Sequence, residues 1–212
     1  MKINQFTVNP FGENVYIVWS EITHNAVVID PGMMTEDERN TIMSFLNQNN
    51  LNVQMILLTH AHVDHAASAN WLSCATGAAI HMSAKDDMLA SHLQEQVQMF
   101  GLGITVLPLA NYTTVDERAA LSLDGNEIRV IKTPGHTPGS VAFYFPALGV
   151  LFAGDTIFQG SVGRTDLPGG DFNALTSSIR EKILKLPTQT KILPGHGSHT
   201  TIATEIATNP YC

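Results

Sequence analysis

The spacing of hydrophobic and polar positions changes character several times along the chain. The opening third reads as strands at residues 3–8, 14–19 and 25–29, separated by turns at 10–12 and 20–24. The period then lengthens. Thr35 with Glu38 three residues on forms a capping box, and Ile42, Phe45 and Leu46 share one helical face up to an Asn-rich stop at 47–50. Met55, Ile56, Leu57 and Leu58 form a continuous apolar run, as a strand buried on both faces does, and residues 66–74 read as the helix behind it, closed by Gly77. Residues 78–81 read as a further strand. Ser83 with Asp86 opens a helical stretch to about Phe100, with a break inside it.

The second half repeats this logic. Strands are predicted at 127–131, 141–145 and 149–152, then a helix behind Asp171 as N-cap with Leu175, Ile179, Ile183 and Leu186 on one face, and a last strand at 191–193. Two similar halves of strands followed by helices predict two mixed sheets facing each other with helices outside, a layered α/β architecture. Spacing alone leaves one large sheet open.

Composition narrows the function. The 212 residues are 44% hydrophobic and 14% charged, which fits a soluble globular chain, and the absence of low-complexity tracts, like-charge runs or repeats predicts one domain over residues 1–212. A chain of this length buries about 70% of its unfolded surface, so it needs no metal merely to fold. Any metal would serve chemistry. Eleven Lys plus Arg against 19 Asp plus Glu give a net charge of -8, which argues against nucleic acid or anionic membrane as partners and for a small-molecule substrate. Cys74 and Cys212 make no disulfide framework, and residues 1–6 show no apolar export segment, so a cytoplasmic location is expected. Oligomeric state is left open.

The histidines carry the chemistry. Thr59, His60, Ala61, His62, Val63, Asp64 and His65 follow the buried strand directly. A loop that gathers three imidazoles and a carboxylate has no packing reason to do so, whereas a divalent ion needs such a set. One tetrahedral ion cannot take all four, because residues so close in sequence point in different directions, which predicts two ions. His136, Asp155 and His196 are further candidates, each on a glycine-flanked loop just past an apolar strand. His24, His81, His92 and His199 are expected not to be ligands.

His60-x-His62-x-Asp64-His65 followed by His136, Asp155 and His196 resembles the metallo-β-lactamase superfamily, from the 29–32 turn to the 194–197 loop. The wording at 9–14, 133–139 and 163–166 is most similar to short bacterial glyoxalase II-type thioester hydrolases. The resemblance implies a four-layer αββα sandwich and a metal-dependent hydrolase. It implies that His60, His62 and His136 hold one ion, that Asp64, His65 and His196 hold another, and that Asp155 bridges them. The ions would be zinc first, with iron or manganese as alternatives. A metal-bound hydroxide, with Asp64 and Asp155 as the catalytic carboxylates, would attack a thioester carbonyl such as that of S-lactoylglutathione. The leaving thiolate needs no general acid. Asp30 and Thr59 are candidates by position to accept the free N–H of ligating imidazoles, with a plain turn or capping role equally open.

Glyoxalase II enzymes hold glutathione with a C-terminal helical domain, whereas residues 197–212 here contain no Lys or Arg, so glutathione recognition is left open. Arg164 is the candidate for a substrate carboxylate, or else a salt-bridge partner of Asp166 or Asp171. Residues 84–109, with Met82, Met88, Met99, Phe100 and Leu102, form either a wall over the site or ordinary helical core. Three other functions fit the same residues: a mononuclear iron persulfide dioxygenase using His60, His136 and Asp155, a lactone or other ester hydrolase, and a non-enzymatic metal-binding protein.

Overall fold

A computed structural model describes residues 1–212. The first sheet contains β1 (Lys2–Val8), β2 (Glu13–Trp19), β3 (Asn25–Ile29), β4 (Asn52–Leu57), β5 (Ala79–Met82) and β6 (Thr113–Thr114), side by side in that order. β1 to β3 pair antiparallel and β3 to β6 parallel. In the second half come β7 (Leu121–Leu123), β8 (Asn126–Lys132), β9 (Val141–Phe145), β10 (Val150–Gly154), the small hairpin β11 (Ile157–Phe158) and β12 (Ser161–Val162), then β13 (Lys191–Pro194) and β14 (Thr200–Thr201). The second sheet has the order β14-β13-β10-β9-β8-β7, with β10 and β13 parallel.

Helices cover the outer faces. α1 (Glu36–Gln48), α2 (Val63–Ala66), α3 (Ala69–Thr76), α4 (Asp87–Ser91) and α5 (Leu93–Met99) lie in the first half, and α6 (Phe172–Glu181) and α7 (Ile202–Thr208) in the second. The layers explain the continuous apolar runs. In β2, Val15 and Ile17 pack into the outer core with Ile42 and Leu72, while Tyr16 and Val18 pack between the sheets with Phe143 and Phe152. In β9 and β10, Ala142, Tyr144 and Leu151 face Leu175, Ile179 and Ile202 in a third core. A strand covered on both faces has no polar alternation to show. The architecture is an αββα sandwich, and no helix is long and apolar enough to cross a membrane.

Several elements differ from the sequence expectation, each for a local reason. The helix expected over 66–74 is two, because Ser68 leaves helical geometry to donate its backbone N–H to the Pro31 carbonyl and its hydroxyl to the Met33 carbonyl. The stretch after Ser83 is a 3-10 turn, α4 and α5, broken at His92, whose Nδ1 bonds the Met88 carbonyl. α6 stops at Glu181, so Ile183 lies in a 3-10 turn and Leu186 beyond it, held extended before Pro187. β4 begins three residues earlier than its apolar run and ends before Leu58. α7, capped by Thr201, carries too little apolar periodicity to be read in advance.

Strand direction places the site. β3, β4, β10 and β13 deliver Asp30, the 59–65 loop, Asp155 and His196 from their carboxyl ends. β8, antiparallel to β9 as β9 is to β10, runs the same way as β10 and delivers His136 to the same edge.

Candidate metal centre

Polar side chains from elsewhere hold the loops in place. Asp30, in left-handed backbone geometry, accepts the Thr59 N–H and hydroxyl, each at 2.7 Å, and Thr59 O accepts the Val141 N–H at 2.8 Å, tying the two sheets together. Buried Asp86 accepts from Ala61 N at 3.1 Å, Thr137 Oγ1 at 2.8 Å and Gly139 N at 2.6 Å, joining the His60 and His136 loops. Asp86 does precede α4 at its N-cap position, but its side chain serves these loops instead of capping the helix. Gln96 accepts the Val63 N–H at 2.9 Å and donates to the Ala61 carbonyl at 3.2 Å.

All seven ligand candidates meet at this edge. His60, His62 and His136 form one group, with His62 Nδ1 2.9 Å from His136 Nε2, and Asp64, His65 and His196 form another. In the second, His65 Nε2 is 3.3 Å from His196 Nε2, and Asp64 Oδ2 is 3.2 Å from the same His196 nitrogen. Asp155 lies between the groups, 3.4 Å from His65 Nε2 and 3.6 Å from both His136 Nε2 and His196 Nε2. Gly195 leaves this space free, since a Cβ there would press on Asp155 Oδ1 and His65 Cε1.

The donor set fits divalent cations. His60, His65, His136 and His196 each place their outer Nδ1 on an oxygen, of Thr59, Asp30, the Arg164 carbonyl and the Phe11 carbonyl respectively. Donating there fixes the tautomer and turns each Nε2 lone pair inward. Inside, His60 Nε2 and Asp155 Oδ1 are buried without any hydrogen-bond partner. Converging lone pairs and an orphaned carboxylate oxygen are costly unless a cation sits among them. None of His24, His81, His92 and His199 belongs to these groups.

The charge environment is uneven. Burial, then neighbouring imidazoles, holds His60 well below its ordinary pKa, and burial with His136 brings His62 down to about 4. Burial also opposes charge on His65 and His196, but the carboxylates around them, Asp155 and Asp64 in both cases, outweigh it and raise both. Burial pushes the Asp155 carboxyl up, but His65, His136 and His196 pull it below the usual range.

A cavity of about 390 Å³ opens over the cluster. Its apolar walls are Phe11, Phe100, Phe158, Val162 and Leu167, with Phe11 and Phe100 edge to face at 5.3 Å. Of the suggested wall residues only Phe100 reaches it: Met82 is core, Leu102 packs on core, and Met88 and Met99 are exposed away from it. Arg164 lines the cavity, and its Nε and Nη2 each reach an Asp166 carboxylate oxygen at 2.7 Å. Sequence reasoning passed over Asp86, Gln96 and Glu13. All three are single polar residues whose burial depends on distant segments, so no local pattern marks them.

The model of the metallo-beta-lactamase superfamily matches residues 8–196. Hydroxyacylglutathione hydrolase GloC of Haemophilus influenzae is 39% identical over 212 residues, covering 100% of this chain and 98% of that protein. Among solved structures, the BLEG-1 B3 metallo-beta-lactamase superposes with a TM-score of 0.88 at 34% identity, covering 99% of each chain. TTHA1623 in a di-iron-bound form gives 0.86 at 37% identity, covering 99% of this chain and 100% of that one. The inward-facing histidines, the strand-end loops that carry them and these likenesses agree, and the chain belongs to the metallo-beta-lactamase superfamily.

Proposed function

We propose that the chain is a dinuclear metal-dependent hydrolase of thioesters of the S-lactoylglutathione type. The observation that carries this reading is the meeting of seven ligand side chains in two groups that share Asp155. His60, His62 and His136 would hold the first ion and Asp64, His65 and His196 the second, with Asp155 placed to serve both. The 39% identical hydroxyacylglutathione hydrolase supports the substrate class, and the 37% identical neighbour in a di-iron-bound form supports two ions, for which zinc is proposed first and iron or manganese as alternatives. When bound, such ions supply a water-derived nucleophile at neutral pH and polarise the carbonyl under attack.

The chain's own residues do the rest. Asp64 and Asp155 keep carboxylate form at neutral pH, since neighbouring histidines hold both below the usual range against the effect of burial. Phe11, Phe100 and Phe158 wall the cavity against bulk water and seat the apolar parts of the substrate. Asp30 and Thr59 fix the orientation of His65 and His60. Arg164 reaches a substrate carboxylate by giving up Asp166 for it, at small cost because water screens so exposed an ion pair.

The test is metal content of protein purified without added metal, with turnover of S-lactoylglutathione and, separately, of glutathione persulfide with oxygen uptake. Two ions per chain and thioester turnover abolished by Asp155→Asn is the expected result. One iron per chain with oxygen uptake would replace this reading by a mononuclear persulfide dioxygenase built on His60, His136 and Asp155. The 34% identical B3 metallo-beta-lactamase favours a second substrate, a β-lactam carbonyl, which a nitrocefin assay addresses. Turnover of nitrocefin or of a lactone without thioester turnover would overturn the thioester assignment.

A further inference from the structure

Glu13 is a charged side chain at this site that the proposed reaction does not use. It opens β2, is fully buried, and neither carboxylate oxygen has a hydrogen-bond partner. Its backbone pairs with His196 in an isolated antiparallel bridge, and next to it Asn14 donates its N–H to Gly195 O at 2.8 Å and its side-chain amide to Pro194 O and Gly197 O. Glu13 is thus fixed to the loop that carries His196. The side chain runs past Gly32, where a Cβ would come within 2.6 Å of Oε2, and places Oε1 3.9 Å from His65 Nδ1.

A buried carboxylate without hydrogen bonds is a net cost to folding, and no lysine or arginine pairs with this one. Burial pushes this carboxyl well above its ordinary pKa, so the metal-free centre favours the neutral acid, and positive charge bound nearby would favour the carboxylate. Three more carboxylates approach the same imidazole, Asp30 at 3.0 Å, Asp155 at 3.4 Å and Asp64 at 3.9 Å. If all four were ionised, they would match the charge of two divalent ions, whereas one ion would leave two of them unmatched.

We propose that Glu13 is a positioning residue of the second half-site: through His65 and the His196 loop its carboxylate strengthens binding of the ion at Asp64, His65 and His196, and so commits the centre to two ions. This rests on the dinuclear reading above. The test titrates metal-free full-length protein with Zn²⁺ alone by calorimetry, with His196→Ala marking which step belongs to the second ion. Glu13→Gln keeps the shape and removes the charge. The second step should weaken by about tenfold, the low end of what losing a hydrogen-bonded outer partner costs, because Glu13 faces His65 without a hydrogen bond, while the first stays unchanged. Metal-free Glu13→Gln should melt at or above the wild-type temperature, the opposite of what loss of a structural contact would do. Glu13→Asp, which keeps the charge, should restore much of the lost affinity. Unchanged binding, equal weakening of both steps, a lower metal-free melting temperature, or a Glu13→Asp variant no better than Glu13→Gln would each overturn the inference. A wild-type chain that takes only one Zn²⁺ at saturation would overturn the dinuclear reading itself.

Discussion

The two halves of the metal centre share one loop, residues 59–65, yet differ in electrical character. His60 and His62 serve the first group, and Asp64 and His65, two residues further on, serve the second. In the first, burial and mutual repulsion keep His60 and His62 as free bases, His62 down to a pKa of about 4. In the second, Asp155, Asp64 and Asp30 overcome the burial of His65 and favour its proton, and His196 is raised as well. An ion entering the first half-site meets ready lone pairs, whereas an ion entering the second must displace protons. The difference implies ordered filling, and the variants and conditions that follow are chosen to break or sharpen it.

Asp155→Asn should have the largest effect, because Asp155 approaches histidines of both groups. It should erase the contrast, lowering turnover by more than the about 100-fold that loss of an outer partner costs, with metal content falling at both positions. Elemental analysis with steady-state kinetics checks this; a variant that keeps both ions and its activity would deny the bridging role. Asp30→Asn comes next. Asp30 bonds His65 Nδ1 directly and reaches His60 only through Thr59, so affinity should drop about 10- to 100-fold at the second half-site and less at the first. Equal losses would show that the two halves lean on Asp30 alike.

Acidification should resolve the halves without mutation. Raised pKa values on His65 and His196 mean that protons compete with the second ion from above pH 6.5 downward, while His62 stays unprotonated until about pH 4 and burial holds His60 well below its ordinary value too. Each unit below the raised pKa should weaken the second ion about tenfold per competing proton. Dialysis at stepped pH from 8 to 5 should therefore take the protein from two ions to one before it reaches none. Simultaneous loss of both would mean that the contrast disappears once metal is bound.

The legible parts of the molecule were those whose meaning is local. The dense spacing from His60 to His65 pointed to metal because nothing in packing asks for it, and Thr35 with Glu38 marked the start of α1 because a capping box closes within four residues. What stayed hidden depends on partners far along the chain. Ser68 breaks a helix by bonding the 31–33 turn, and Asp86, which looked like part of a helix start, turns inward to bind loops 25 and 53 residues away. Glu13, just ahead of the predicted 14–19 strand, carries no local mark of its burial, which comes from Gly32 and the His196 loop. β6, β11, β12 and β14 are two residues long, too short to show any period.

The smallest expected effect is the most selective. The Thr59 hydroxyl donates to Asp30 Oδ2 and lies 3.1 Å from His60 Nδ1, from which it accepts. Thr59→Val keeps the shape and packing against Gly154, while the backbone N–H of residue 59 still holds Asp30 Oδ1 and Asp30 Oδ2 still holds His65. Only His60 loses its acceptor, leaving a buried N–H unpaired. One neutral hydrogen bond contributes about 0.5–1.5 kcal/mol, so the first ion should bind roughly two- to tenfold more weakly and the second unchanged. Thr59→Val and Glu13→Gln then act in opposite directions on one titration, the former narrowing the gap between the two binding steps and the latter widening it. A Thr59→Val protein in which the second step moves instead would mean that the hydroxyl serves Asp30 and His65, and that His60 is oriented by packing alone.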